Sequence, residues 1–128
     1  MQFSQIQHCS VVVQDLERAA EFYHDILGLN EIEIPTTFPS AGIRVRWFRL
    51  GSQQIHLLMG HQNQAESQHH MALQVDDAQM ARTWMQEHGI AVEEAVLIPG
   101  ADRSFIRDPD SNLIEIIEWK EPYTNRPL

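Results

Sequence analysis

The sequence predicts an α+β fold of two βαβββ modules, forming a curved, half-open mixed sheet around a central cleft. Three observations predict it. His8-Cys-Ser-Val-Val-Val-Gln-Asp15 and His70-Met-Ala-Leu-Gln-Val-Asp-Asp77 are both short apolar strands running into an aspartate, and their opening histidines lie 62 residues apart. Each is followed by a stretch with helical spacing of apolar residues that stops at a glycine, Gly28 or Gly89. Each helix is then followed by three strand-like runs. Two such units pair their sheets with helices outside and a concave surface inside, the kind of place ligands favour.

The elements follow in order. After the first strand Asp15 caps a helix over residues 16–27, with Leu16, Ala19, Ala20, Tyr23 and Leu27 on one face. Residues 31–34 read as a short strand, 35–42 as a loop, 43–50 as a strand, and Gly51-Ser52 as a turn into a strand over 54–58. Residues 60–69 are polar and small, with little to bury, and form a connector. In the second half Asp77 caps a helix over 78–88, whose Met80, Ala81, Trp84 and Met85 are apolar. Strands follow at 90–95, 104–107 and 113–117, the last two joined by the turn Asp108-Pro109-Asp110-Ser111. The first repeat thus covers about residues 3–59, the second about 70–118, and a tail 119–128 completes a single domain.

Composition narrows the function classes. With 128 residues, 43% of them hydrophobic, the chain buries a real core. A net charge of −9 argues against nucleic acid, which draws on clustered Lys and Arg. No apolar run approaches the roughly 18 residues a membrane span needs, and the start lacks a basic-then-apolar signal pattern. Cys9 stands alone, so no internal disulfide forms. The expectation is a cytoplasmic protein with a small-molecule partner, and neither nucleic acid nor membrane.

Strand phase selects the candidate site. On the first strand Cys9, Val11 and Val13 form the face that seats the helix, leaving His8, Ser10 and Val12 inward. On the matching strand Met71, Leu73 and Val75 take the helix side, so His70, Ala72 and Gln74 point inward and His69 does not. The last strand of each half adds one ligand-capable group among aliphatics, His56 in Gln-Ile-His-Leu-Leu and Glu115 in Asn-Leu-Ile-Glu-Ile-Ile. A carboxylate in such company costs several kcal/mol, in rough order of magnitude, without a cation or hydrogen bonds, so Glu115 needs a partner. Three imidazoles and one carboxylate suit one divalent transition metal, Zn, Ni, Co, Mn or Fe, better than Ca or Mg.

The other histidines, His24 and His88 on helices and His61 and His69 in the connector, are expected on the solvated surface. Arg44, Arg46, Arg103 and Arg107 are candidates to hold a carboxylate or thioester head group, Arg103 foremost because it precedes the inner strand of its half. Trp47 and Phe48 alternate in phase, so one faces the cleft and the other packs outward, and the sequence leaves open which. Trp47, Arg44 and Arg103 are the substrate-binding candidates. The 38–42 loop and the 121–128 tail are candidates to shape specificity or a dimer contact.

The chain resembles the vicinal oxygen chelate superfamily, which includes glyoxalase I, methylmalonyl-CoA epimerase, extradiol dioxygenases, fosfomycin-resistance thiol transferases and bleomycin-resistance proteins. The resemblance covers about residues 3–118. It rests on His8 with Asp-Leu-Glu-Arg-Ala-Ala-Glu-Phe-Tyr23 and Leu-Gly-Leu29, on His70-Met-Ala-Leu-Gln-Val-Asp-Asp, and on Arg107-Asp-Pro-Asp-Ser-Asn-Leu-Ile-Glu115. It implies a paired βαβββ fold assembled as a homodimer, with a metal at His8, His56, His70 and Glu115. It further implies a substrate bound through vicinal oxygens, with the metal as Lewis acid for an enolate-like intermediate. Glyoxalase I-like members commonly have Glu, and epimerase-like members Gln, where this chain has His56.

The resemblance therefore leaves several activities open. In a lactoylglutathione lyase-like or epimerase-like reading, Glu115 is the general base and His56 the second catalytic group. In a dioxygenase reading, His8, His70 and Glu115 form a 2-His-1-carboxylate set for Fe(II), with His56 beside it. In a third, the chain is a metal-free protein that sequesters a ligand, and its acidic charge suits a cationic drug.

Overall fold

A computed structural model describes residues 1–38, 42, 44–62, 67–122 and 126–128. The chain divides into two compact units, Met1–Glu66 with Asp108–Asn112, and Ser67–Arg107 with Leu113–Leu128. Each contains one four-stranded mixed sheet.

In the first unit β1 (His8–Val13) leads into α1 (Leu16–Glu21), which continues as a π-helical turn over Phe22–Ile26. β2 (Asn30–Ile32), β3 (Val45–Leu50) and β4 (Gln53–Met59) follow. The sheet order is β1-β4-β3-β2, with β1 parallel to β4 and the other pairs antiparallel. Asp15 caps α1 by accepting from the Arg18 amide at 3.0 Å, which satisfies one of the helix's orphan donors. Gly28, at φ 71°, ends the helical run in the left-handed conformation. Val11, Val13, Phe48, Ile55 and Leu57 form the buried face of the sheet, and Leu16, Ala19, Ala20 and Tyr23 are buried on the helix. Each large apolar side chain so removed from water contributes about 1.5–3 kcal/mol.

The second unit repeats the order. β5 (His70–Gln74) is followed by α2 (Ala78–Glu87), β6 (Glu93–Glu94), β7 (Ala101–Arg107) and β8 (Leu113–Trp119). The sheet order β5-β8-β7-β6 is that of the first unit, again with its outer pair β5·β8 parallel. Asp77 caps α2 through the Met80 amide at 2.8 Å, and Gly89 takes φ 74°. Leu73, Ala78, Met85, Ile106, Ile114, Ile116 and Ile117 are its buried apolar residues among those described.

The expected βαβββ repeat is present twice, with three local differences. The first helix widens into a π-turn, and the consecutive Phe22 and Tyr23 are both buried there. The strand expected over 90–95 is reduced to Glu93–Glu94, because only these residues pair with β7. The strand expected at 104 starts at Ala101 instead, since Ala101 to Arg103 pair with the end of β8. Within the expected loop, connector and tail, residues 39–41, 63–66 and 123–125 lie outside the described residues, as does residue 43, the expected start of β3.

Candidate functional site

The helix-free face of each sheet carries the candidate ligands, and the two faces share one register. In the first unit Ser10 pairs with His56 across β1 and β4, so His8 lies one inward position along from His56. In the second Ala72 pairs with Glu115 across β5 and β8, which gives His70 the same relation to Glu115. The third strand supplies an aromatic beside each group, Trp47 opposite His56 and Phe105 opposite Glu115. Thus the histidine, the small residue, the ligand-capable group and the aromatic recur position for position.

In the first unit the His56 ring is held between two others. The His8 ring stacks on it with centroids 4.1 Å apart and planes 14° from parallel, and Trp47 stacks on it at 3.9 Å and 2°. Phe38 meets Trp47 edge-on at 5.2 Å. His56 is buried, His8 exposed. Burial, and then the neighbouring His8 charge, push the His56 imidazolium pKa below its usual 6.5. The alternation at 47 and 48 is thereby resolved: Trp47 lies on the face of His56, and Phe48 is buried on the opposite face.

Each imidazole has one ring nitrogen held by an amide oxygen. His8 Nδ1 donates to Gln7 Oε1 at 2.6 Å, His70 Nδ1 to the Gln68 carbonyl at 2.9 Å, and His56 Nε2 to Gln54 Oε1 at 2.8 Å. A carbonyl cannot donate, so the bonded nitrogen carries the proton and the other ring nitrogen keeps its lone pair. This is how protein metal ligands are ordinarily oriented. Gln7, Gln54 and Gln68 were not among the residues singled out from sequence. The signal for Gln54 is its spacing of two from His56, which puts both on one face of β4.

In the second unit His70 is exposed and meets the edge of Phe105, with ring centroids 5.3 Å apart. Glu115 is 7% exposed, and the partner it requires is Arg103, whose Nη1 donates to Glu115 Oε1. The Arg103 guanidinium also lies 5.7 Å from the centre of the Phe105 ring. Trp47 Nε1 and Arg103 Nε are buried without a hydrogen-bond partner among the described residues.

Arg44 is placed elsewhere. Its guanidinium reaches Glu17 of α1 at 3.3 Å, and Arg46 bonds Glu17 and Glu31, so the two arginines serve the helix side of the sheet. A groove of about 350 Å³ on that side is lined by Glu17, Ala20, Glu21, His24, Asp25, Glu31 and Arg46. Of the substrate-binding candidates, Trp47 and Arg103 share a face with candidate ligands of their own unit, and Arg44 does not.

The donor types in each unit suit a divalent transition ion in their chemistry: each imidazole keeps one ring nitrogen lone pair, and the Glu115 carboxylate is held by one oxygen. Within each unit the candidate ligands form a pair. Among the described residues no three His, Cys, Asp or Glu side chains gather into a metal-holding group.

Comparison with known proteins places the chain. It belongs to the glyoxalase/bleomycin resistance protein/dioxygenase superfamily, whose family model matches residues 5–116. It is 32% identical over 103 residues to the mitochondrial methylmalonyl-CoA epimerase of Bos taurus, a match covering 70% of this chain and 58% of that protein. The chain spans about half the length of the curated relatives it matches. Among solved structures, a glyoxalase family protein from Bacillus anthracis superposes with a TM-score of 0.83 at 26% identity, covering 94% of this chain and 98% of that one. A variant of the fosfomycin resistance protein FosX from Listeria monocytogenes, solved with Mn(II) and 1S,2S-dihydroxypropylphosphonic acid, shares the fold. Its TM-score is 0.77 at 21% identity, with 90% of this chain and 92% of that one covered.

Proposed function

We propose that this chain is a metal-dependent enzyme that moves a proton at carbon in a small substrate bearing vicinal oxygens, with His8, His56, His70 and Glu115 as the metal ligands. The observation that carries the reading is the shared register. Two sheets each offer a histidine on the first strand and a second donor on the last, at matching positions. Sequence similarity to methylmalonyl-CoA epimerases favours an epimerase-like reaction over a lactoylglutathione lyase-like one. A divalent ion in such a donor set supplies Lewis acidity toward the substrate oxygens and so eases loss of the neighbouring C–H proton.

The chain's own residues supply the rest. Glu115 takes the proton from carbon as general base, and His56 is the second proton carrier, on the other sheet. Arg103 holds Glu115 by one oxygen. Trp47 packs flat on His56 and fixes its ring plane, and its Nε1 proton, without an acceptor among the described residues, is a donor for a substrate oxygen. The expected assembly is a homodimer.

The test is elemental analysis of protein purified without a histidine tag, comparing wild type with His56→Ala and Glu115→Ala. One equivalent of Zn, Ni, Co, Mn or Fe in the wild type, and at least a tenfold loss of occupancy in both variants, is expected. A wild type that stays metal-free after reconstitution sinks the enzyme reading and leaves a ligand-sequestering protein.

A further inference from the structure

Glu115 is buried, flanked along its strand by Ile114 and Ile116, and it forms an ion pair with Arg103. The manner of this contact is informative. Arginine forks usually meet a carboxylate through two parallel bonds that occupy both oxygens. Here one guanidinium nitrogen, Nη1, meets one oxygen, Oε1. Oε2 has no hydrogen-bond partner among the described residues.

The arginine is itself fixed. Its guanidinium lies by the Phe105 ring, and Phe105 is the residue directly opposite Glu115 in the β7·β8 ladder. Arg103 sits one same-face position along from Phe105 and opposite Ile117. Its side chain is 20% exposed, and its Nε is buried with no partner among the described residues. A long cationic side chain held this way is set to orient a neighbour, whereas a mobile surface cation would turn its free donors to water.

We infer that Arg103 is a positioning residue for Glu115: it fixes Oε1 and so presents Oε2 to the ion that the proposed function requires. The inference rests on that function. It also reassigns Arg103, which the sequence suggested as a direct substrate clamp, to work through Glu115. The opposite arrangement, an arginine competing with the ion for the carboxylate, would be expected to cap both oxygens, and the one-oxygen contact argues against it. Partners that hold a ligating carboxylate in this way typically contribute about 10–100-fold to metal affinity.

The experiment measures Zn(II) affinity of the purified chain against a chromophoric chelator, for wild type and for Arg103→Lys, Arg103→Gln and Glu115→Gln. The visible spectrum of the Co(II)-substituted proteins is recorded in parallel. The expected order of affinity is Arg, then Lys, then Gln at position 103, with the glutamine variant about 10–100-fold weaker than wild type and its Co(II) spectrum changed. Should the glutamine variant fail to fold, the lysine variant carries the comparison, because it keeps the charge but not the planar fork. Either variant binding as tightly as wild type overturns the positioning role while the metal site stands. A wild type no tighter than Glu115→Gln overturns the proposed metal site and this inference with it.

Discussion

Tyr23 and Asp108 show what one buried hydroxyl contributes. The Tyr23 hydroxyl donates to Asp108 Oδ2 at 2.9 Å, and the same carboxylate accepts from the Asn112 side chain and from the amides of Asp110 and Asn112. Burial pushes the Asp108 carboxyl above its ordinary 3.8 in spite of these donors, and burial likewise raises Tyr23. The folded chain therefore holds the Asp108 proton more tightly than the unfolded one. This group's contribution to stability is complete below pH 3.8 and is lost as pH rises through its folded value. Tyr23→Phe removes a donor to the ionised form and pushes the carboxyl further up. It is expected to cost about 1–3 kcal/mol at neutral pH and less in acid, read from urea midpoints on either side of the transition. An equal cost at both pH values would mean that the hydroxyl does not serve the carboxylate.

At the scale of elements, Arg82 joins α2 to two strands. It bonds Glu94 of β6 at 2.8 Å and Asp102 of β7 at 2.5 Å, and its own side chain is 11% exposed. Hydrogen bonding to Arg82 holds the Asp102 carboxyl below its ordinary 3.8, so this contribution is present above that pH and lost as pH falls through the folded value. Arg82→Met is expected to cost about 1 kcal/mol at neutral pH, because solvent screens the half-exposed carboxylates. The difference from wild type should narrow in urea melts below the ordinary carboxylate range. A gap that persists there would assign the role of Arg82 to packing of its stem.

The elements also show where sequence reading succeeds and where it stops. Asp15, Asp77, Gly28 and Gly89 announce the helix ends because caps act through the chain within a few residues. The strand phase of His8 and His70 is legible because alternation in a strand is local. The π-turn at Phe22 carries no periodic signature, and β6 is short because its partner strand meets it at only two residues. Arg103 is singled out early, but its partner is fixed by the register of β7 on β8, a long-range fact. The same holds for Trp47 against Phe48, where alternation has two solutions and pairing with β4 selects one.

For the molecule as a whole, a ligand that binds only the folded chain stabilises it by mass action, about 2.7 kcal/mol at 100 times Kd. Under the proposed function, Zn(II) added to metal-stripped protein raises Tm by several degrees and a chelator reverses the rise. His70→Ala removes this response while keeping a fold with the wild-type circular dichroism. A Tm unmoved by Zn(II), Mn(II), Co(II), Ni(II) and Fe(II) would leave the donor set without its proposed use.

The turn Asp108–Asn112 bears on the order in which the molecule can be made. It is counted with the first compact unit, where Asn112 Nδ2 donates to the Val12 carbonyl at 3.0 Å, the Gln14 amide donates to Asp110 Oδ1 at 3.0 Å, and Tyr23 finds its acceptor. On the ribosome, where segments fold as they emerge, a nascent chain ending at residue 66 carries a tyrosine hydroxyl and a strand end whose partners have not yet been translated. Residues 67–107 must therefore be translated before the first unit can be closed, so that unit starts folding ahead of the second but cannot finish ahead of it.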